Sequence, residues 1–168
     1  QVWVWREKRI KKIHSFIDHV LLLFPFEKKY FLKENIKSTF IGHPLLEDSI
    51  NNHFDVSKIT NNKKRIFSIF PGSRLSEINL LTPILTKFIK IMNKKYDDIF
   101  FAFHSTDKHH KKIQSLIDVE NLKNCEVIFD ETTKSSILKS SIFAVAKSGT
   151  VSLEIAKCKI PSIIIYKM

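Results

Sequence analysis

Glycine is scarce in this sequence: 168 residues contain only three, whereas average usage gives about a dozen. Each of the three stands inside a short motif: Phe40-Ile41-Gly42-His43-Pro44, Phe70-Pro71-Gly72-Ser73-Arg74 and Lys147-Ser148-Gly149-Thr150. Gly72 and Gly149 each follow an apolar run and precede a helical pattern. They therefore predict two strand–loop–helix junctions, a setting in which backbone amides bind phosphate.

Cysteines and long apolar runs are also few. We interpret Cys125 and Cys158 as small buried side chains in a reducing, cytoplasmic compartment, rather than as a disulfide or a metal pair. The longest apolar stretch, Val20 to Phe24, is far shorter than the roughly 20 residues that span a bilayer. Any membrane contact is therefore expected to be peripheral.

Positive charge is abundant. The chain has 28 Lys and Arg against 17 Asp and Glu, for a net charge of +11 and a pI near 9.7. Such a balance suits anionic partners, namely nucleic acid, anionic lipid or phosphorylated substrates. A lysine-rich solvated surface explains the same composition, so charge alone does not identify the partner.

From residue 63 onward, apolar runs alternate with helical patterns. The predicted strands are 66–70, 99–103, 125–129, 142–146 and 162–166. One predicted helix begins at Thr82-Pro83, and two others cover about 107–118 and 133–139. A fourth runs from the Gly149 loop to Cys158. This order predicts an α/β fold with a parallel sheet covered on both faces, so that both glycine loops meet at the carboxyl edge of the sheet.

The first 43 residues repeat this pattern without completing a domain, with strands at 2–5, 20–24 and 39–41 and helices at 7–17 and 26–33. We predict that 1–43 ends an N-terminal α/β domain, that 44–63 connects two domains, and that 64–168 is a Rossmann-like domain truncated at its C-terminus. Strand-like sequence at both ends indicates a piece of a longer protein.

The first candidate site is Gly72-Ser73-Arg74, at the end of a predicted buried strand. Amides of this loop can point at an anion, Ser73 adds a hydroxyl donor, and the planar fork of Arg74 suits phosphate oxygens. An ordinary tight turn with a surface arginine gives the same three residues. The motif is neither a Walker loop nor a complete dinucleotide fingerprint.

The second candidate site is Ser148-Gly149-Thr150 with Glu154. Amides and hydroxyls at a helix start bind phosphate, and Glu154 lies one turn further on the same face, where a carboxylate can accept hydrogen bonds from a ribose diol. The alternative is simple capping by Ser148 or Thr150, with Glu154 as a solvated acid. Together, the two loops favour a nucleotide-diphosphate site.

Other candidates carry weaker signals. His43 follows Gly42 and is either a substrate contact or a structural residue at a domain junction. An aromatic strand contributes Trp3, Trp5 and Arg6, either to a sugar or acyl pocket or to a core. No metal site is predicted at His104, His109 and His110, because they lack carboxylate or cysteine partners at ligand spacing.

The chain resembles the lipid-A-disaccharide synthase family in four stretches that follow one another in the family's order. They are Val2-Trp3-Val4-Trp5-Arg6-Glu7-Lys8-Arg9; Leu23-Phe24-Pro25-Phe26-Glu27 with Phe40 to Pro44; Pro71-Gly72-Ser73-Arg74 with Glu77; and Ser148-Gly149-Thr150 with Glu154, Ala156-Lys157-Cys158 and Tyr166-Lys167-Met168. The resemblance implies a GT-B fold, in which the second of two facing Rossmann-like halves holds a UDP-sugar.

The resemblance also implies an inverting transfer that joins UDP-2,3-diacylglucosamine to 2,3-diacylglucosamine 1-phosphate, at the cytoplasmic face of the inner membrane and without a metal. Arg74 with the Gly72 and Ser73 amides would stabilise the departing diphosphate. The loop of Ser148, Gly149 and Thr150 would hold phosphate or nucleoside, and Glu154 the ribose. The family's general base is expected before Gln1, so this piece alone is expected to be inactive.

Three alternatives stay open at this stage. One is another UDP-sugar enzyme of the same fold, such as the peptidoglycan N-acetylglucosaminyltransferase or a UDP-N-acetylglucosamine epimerase. Another is a basic nucleic-acid-binding module, although the lysines are spread over helices and the aromatics lie in apolar strands. The third is a non-catalytic remnant.

Overall fold

The structure is a computed structural model that describes residues 8–47, 55–60, 63 and 65–166. The chain divides into two compact units, residues 1–48 and 49–168. This division falls within the stretch 44–63 that we predicted to connect two domains. The predicted strand 2–5, with Trp3, Trp5 and Arg6, lies outside the described residues.

The first unit is a small α/β arrangement around two parallel strands. Its elements are α1 (Lys8–Ile13), β1 (His19–Leu22), a 3-10 turn (Pro25–Glu27), α2 (Lys28–Leu32), β2 (Lys37–Phe40) and α3 (Pro44–Glu47). The two strands pair in parallel, with Leu22 opposite Phe40. The buried core of this unit consists of Ile10, Leu22, Phe31 and Ile36.

The second unit contains a five-stranded parallel sheet. Its elements are β3 (Arg65–Phe70), α4 (Leu75–Asn93), β4 (Ile99–His104), α5 (His110–Val119), β5 (Cys125–Ile128), α6 (Glu131–Ser140), β6 (Phe143–Lys147), α7 (Val151–Lys157) and β7 (Ser162–Ile165). The strand order is β5-β4-β3-β6-β7, and every neighbouring pair is parallel.

Apolar side chains cover both faces of this sheet, because successive residues of a strand point to opposite sides. All six residues of β4 are buried. Phe101 and Phe103 of β4 belong to a cluster with residues of α4 and α5, whereas Phe100 and Ala102 pack in another cluster with Ile137 of α6. The α/β prediction, with a parallel sheet between helices, is therefore confirmed.

The predicted helix start at Thr82-Pro83 is wrong. Helix α4 begins at Leu75 and carries Pro83 in its interior. The actual start is marked by Glu77, whose carboxylate accepts hydrogen bonds from the amides of Ser73 and Arg74 ahead of the helix. Thr82 is fully buried in the middle of the helix rather than at its cap.

Other element boundaries shift less. Helix α5 begins at His110, three residues later than predicted, and α6 begins at Glu131, two residues earlier. Asp130 caps α6, because its carboxylate accepts a hydrogen bond of 2.8 Å from the amide of Thr133. The predicted strand edges agree with the structure to within two residues in the second unit.

Helix α4 provides a test of the core with a matched control. Ile89 has no exposed surface, whereas Ile91 on the same helix is 59% exposed. We expect Ile89→Ala to lower the free energy of unfolding by about 2 to 5 kcal/mol, because it leaves a cavity against the sheet. We expect Ile91→Ala to change it by less than about 0.5 kcal/mol. Chemical denaturation measures both, and equal effects would contradict this packing.

Candidate functional site

A cleft with a volume of about 240 Å³ opens at the carboxyl ends of β3, β4 and β6. The chain leaves the central strand β3 towards β4 and β5 on one side, and later returns to β6 and β7 on the other. Ligand crevices of parallel α/β sheets form where the strand order reverses in this way. The cleft is lined by Phe70, Gly72, Ser73, Glu77, His104, Ser105, Thr106, Lys134, Lys147, Ser148, Gly149, Thr150, Val151 and Glu154.

Six of the seven site residues predicted from the sequence line this one cleft. They are Gly72, Ser73, Ser148, Gly149, Thr150 and Glu154. The seventh, Arg74, is not among the lining residues. Its side chain is 79% exposed, and Nη1 lies 3.5 Å from Oε1 of Glu77. The two glycine loops therefore meet at the same edge of the sheet, with Arg74 beside the cleft.

The Gly72 loop is shaped around the carboxylate of Glu77. Oε2 of Glu77 accepts hydrogen bonds from the amides of Ser73 at 3.2 Å and Arg74 at 3.3 Å. Gly72 has a φ of +114°, and a Cβ at this position would lie 2.5 Å from the same oxygen. Two amides of the loop thus already have an anionic partner, and its other donors are the Gly72 amide and the Ser73 hydroxyl.

Glu77 also reaches the second loop through Lys147, the last residue of β6. Nζ of Lys147 lies 2.8 Å from Oε1 of Glu77, and the two side chains are 23% and 15% exposed. The hydrogen bond from Lys147, followed by those from the Arg74 and Ser73 amides, lowers the pKa of the Glu77 carboxyl, although burial opposes this shift. The ion pair links the end of β6 to the first turn of α4, the helix that follows β3.

The loop of Ser148, Gly149 and Thr150 leads into α7. The amide of Ser148 donates to the carbonyl of Ile165 in β7, and the carbonyl of Gly149 accepts from the Ser152 hydroxyl at 2.6 Å. Thr150 stands at the N-cap position, but its side chain makes no capping hydrogen bond. Helix capping therefore does not occupy the Thr150 hydroxyl.

Glu154 is half-buried against the cleft rather than solvated. Burial raises the pKa of its carboxyl; the charge of Lys134 opposes the shift and that of Glu131 adds to it. Lys134 itself is 19% exposed and pairs with Glu131 at 2.7 Å. The cleft therefore contains a second cation that sequence reasoning did not single out, on the side where Glu154 lies.

His104 forms part of the cleft wall and belongs to a buried polar chain. The residue is 4% exposed, and its ring stacks on Phe70 with centroids 4.2 Å apart. Nε2 of His104 lies 2.8 Å from the Ser68 hydroxyl, which lies 2.8 Å from the Ser141 hydroxyl. Burial lowers the pKa of His104 to about 3, with a further contribution from Lys134, so the ring is neutral at physiological pH.

The other histidines singled out in the sequence lie in separate surroundings. The ring of His110 stacks on Phe129 at 4.2 Å, outside the cleft. Across the part of the chain that the structure describes, no group of three or more His, Cys, Asp or Glu side chains could hold a metal ion. In the first unit, Nδ1 of His43 accepts a hydrogen bond from the amide of Leu45, and its ring lies beside Phe24.

Both cysteines are free thiols. Burial raises the pKa of Cys125 to about 12 and also raises that of Cys158. Neither thiol therefore ionises readily at neutral pH. Within the described residues, no helix has the length and apolar character needed to cross a membrane.

Sequence comparison identifies relatives along the whole chain. The family model described as lipid-A-disaccharide synthetase (LpxB) matches residues 1–168. Lipid-A-disaccharide synthases of Coxiella burnetii strain Dugway 5J108-111 and Francisella tularensis subsp. novicida are 37% and 32% identical to all of this chain. The chain spans 44% and 46% of these two relatives, which is less than half their length.

Two solved structures share the fold. The S. aureus MnaA-UDP co-structure matches with a TM-score of 0.70 and 14% identity over 94% of this chain and 45% of the other. A putative UDP-N-acetylglucosamine 2-epimerase from Listeria monocytogenes matches with a TM-score of 0.67 and 12% identity over 92% of this chain and 44% of the other. At such identities the likeness concerns the fold.

The parallel sheet, its strand order and the cleft at its carboxyl edge define an α/β protein of the GT-B type, as predicted. Among the families that share this fold, the match along residues 1–168 identifies the one to which the chain belongs. The chain belongs to the lipid-A-disaccharide synthetase family. This membership does not favour the peptidoglycan transferase, epimerase or nucleic-acid-binding alternatives.

Gly72 provides a test of the loop geometry, with Gly149 as the control. We expect Gly72→Ala to lower the free energy of unfolding by about 1 to 3 kcal/mol, because alanine would meet both a positive φ and the Glu77 carboxylate. At Gly149, the nearest atom to an added Cβ is the carbonyl oxygen of Lys147, at 3.9 Å. Thermal denaturation should show a smaller change for Gly149→Ala, and the reverse order would contradict this loop conformation.

Proposed function

We propose that the complete protein transfers a diacylglucosamine unit from UDP-2,3-diacylglucosamine to 2,3-diacylglucosamine 1-phosphate, giving the lipid A disaccharide and UDP. Family membership supports this reaction. The second unit of the chain holds the UDP-sugar, and S. aureus MnaA, which shares its fold, was solved as a UDP co-structure.

One observation carries the proposal: six residues predicted from two separate motifs line a single cleft at the crevice position of the sheet. A diphosphate requires several donors that converge on one point. The Gly72 amide and the Ser73 hydroxyl come from one side of the cleft. Ser148, Gly149 and Thr150 come from the other.

Positive charge near the leaving diphosphate is supplied in two ways. Lys147 lies within the cleft and is paired with Glu77, whereas Arg74 lies at its margin with most of its side chain exposed. An exposed arginine is free to turn towards a bound diphosphate, which its planar fork fits. Glu154 accepts hydrogen bonds from the ribose diol. We propose that these cations and amides stabilise the diphosphate without a metal ion.

The basic surface suits an enzyme with lipid substrates. We propose that the protein acts at the cytoplasmic face of the inner membrane, where each lysine or arginine near an anionic surface contributes about 1 kcal/mol of attraction. The net charge of +11 supports this location. Binding of the complete protein to anionic liposomes should weaken as salt is added.

The donor substrate tests the proposed reaction. We expect the complete gene product to consume UDP-2,3-diacylglucosamine with the acylated acceptor and to release UDP in the presence of EDTA. The control donor is UDP-N-acetylglucosamine, which lacks the acyl chains. Faster turnover of the control donor would contradict the proposal and favour an enzyme of another UDP-sugar class. Loss of turnover in EDTA, restored by a divalent metal, would contradict the metal-free part.

Glu154 tests the proposed site itself. We expect Glu154→Gln to weaken UDP binding about tenfold, because a charged acceptor of ribose hydroxyls contributes roughly 1.5 kcal/mol or more. The control is Glu120→Gln, since Glu120 pairs with Lys90 and does not line the cleft. Calorimetric titration with UDP measures both variants. Equal affinity of the Glu154 variant and the unmodified protein would remove Glu154 from the site.

A further inference from the structure

His104 lies in the cleft wall, yet one of its nitrogens is committed to the interior of the protein. Nε2 lies 2.8 Å from the Ser68 hydroxyl, and Ser68 has no exposed surface. Within the described part of the chain, Nδ1 has no hydrogen-bond partner. Nδ1 is not among the unpartnered atoms that are fully enclosed, so it keeps some accessible surface although the residue is only 4% exposed. Since His104 lines the cleft, this unpaired nitrogen faces the cleft.

The buried hydroxyls determine which nitrogen carries the proton. The Ser141 hydroxyl donates to the carbonyl of Ile137 at 2.8 Å, and a carbonyl only accepts. Since a hydroxyl has one proton, Ser141 must accept from Ser68 in their mutual contact of 2.8 Å. Because the Ser68 hydroxyl donates its single proton to Ser141, it can only accept a hydrogen bond from Nε2 of His104. The neutral ring therefore carries its proton on Nε2 and a lone pair on Nδ1.

A lone pair at this position discriminates between the parts of a nucleotide. Phosphate oxygens are acceptors, so they gain nothing from Nδ1 and are repelled by it. An imide N–H or a ribose hydroxyl can donate to it. His104 lies on the same face of β4 as Phe100 and Ala102, which pack with Ile137 of α6. Leu138 of α6 packs in one cluster with Ile155 of α7, the residue after Glu154. His104 and Glu154 therefore both lie on the α6 side of the cleft. Lys147 and Glu77 are paired with each other beside the Gly72 loop.

We propose that His104 is a specificity-determining residue, whose Nδ1 accepts a hydrogen bond from an N–H or O–H group of the nucleoside part of the ligand. The inference rests on the proposed UDP-sugar function. It adds that the cleft has two parts, with diphosphate near Lys147 and the nucleoside near His104 and Glu154. The series of hydrogen bonds from Ile137 through Ser141 and Ser68 holds the ring proton on Nε2 of His104. It thereby leaves Nδ1 as the acceptor.

Ser141→Ala provides the sharpest test, because Ser141 does not line the cleft. Without Ser141, the Ser68 proton is free to turn to Nε2, and the ring proton moves to Nδ1. In the complete gene product, we expect two-bond proton–nitrogen NMR spectra to show His104 as the Nε2–H form, unchanged between about pH 5 and 9. In Ser141→Ala we expect the Nδ1–H form. The control is Ser115→Ala, whose exposed hydroxyl bonds only to the carbonyl of Lys112.

Binding of UDP and of inorganic pyrophosphate distinguishes the two parts of the cleft. We expect Ser141→Ala to weaken UDP binding about tenfold, as for one lost hydrogen bond, with pyrophosphate binding unchanged within about twofold. The double variant His104→Phe with Ser68→Ala should behave in the same way, since it keeps a ring on Phe70 and leaves no unpaired hydroxyl on Ser68. It therefore provides an independent measurement if Ser141→Ala folds poorly.

Four outcomes would overturn the inference. They are a protonated or Nδ1–H ring in the unmodified protein, an unchanged Nε2–H form in Ser141→Ala, UDP affinity in both variants equal to that of the unmodified protein, or equal weakening of UDP and pyrophosphate. Each leaves the proposed function standing as long as the unmodified protein binds UDP. If the unmodified protein fails to bind UDP, both the proposed function and the role of His104 are wrong.

Discussion

The carboxylate of Glu77 joins the two loops on which the cleft depends. One oxygen accepts the amides of Ser73 and Arg74, and the other pairs with Lys147 at the end of β6. These contacts hold the loop after β3 against the neighbouring strand and begin helix α4. Gly72 is needed because the carboxylate occupies the volume that a side chain would fill. The folded state lowers the pKa of Glu77, so this stabilisation is complete above its ordinary pKa of 4.5 and is lost as the pH falls through the lowered value.

The same contact balances the charge in the cleft. Lys147 and Lys134 are accompanied by Glu77, Glu131 and Glu154, so neither lysine is an unpaired buried cation. An isolated charge at such depth would be costly, whereas a paired one is tolerated. Under the proposed function, a ligand with two phosphates would compete with Glu77 for Lys147 or draw Arg74 inward from solvent. Either response makes binding sensitive to the loop conformation that Glu77 maintains.

Sequence patterns predicted the strand–loop–helix junctions well, because buried parallel strands are near-continuous apolar runs and the rare glycines mark their carboxyl ends. Thr82-Pro83 was misleading, because a proline after a hydroxyl residue is a strong local start signal, while the true start at Leu75 depends on Glu77. Lys147, Lys134 and His104 were missed as members of the site. His104 and Lys147 end strands β4 and β6, and Lys134 lies in helix α6. These three elements are separate in sequence and meet only at the cleft, so local spacing does not show that the three side chains belong to one site.

Polar groups buried in the sheet illustrate how the fold shapes the chemistry of the cleft. Ser68 faces Ala102 and Ala144 on the neighbouring strands, and these small residues leave room for hydroxyls among apolar side chains. A buried hydroxyl requires a partner, and the chain through Ser141 to a helix carbonyl satisfies each donor in turn. The direction of that chain is set inside the core, far from solvent. Its end is a histidine nitrogen in the cleft wall, so a requirement of folding also determines what the cleft offers to a ligand.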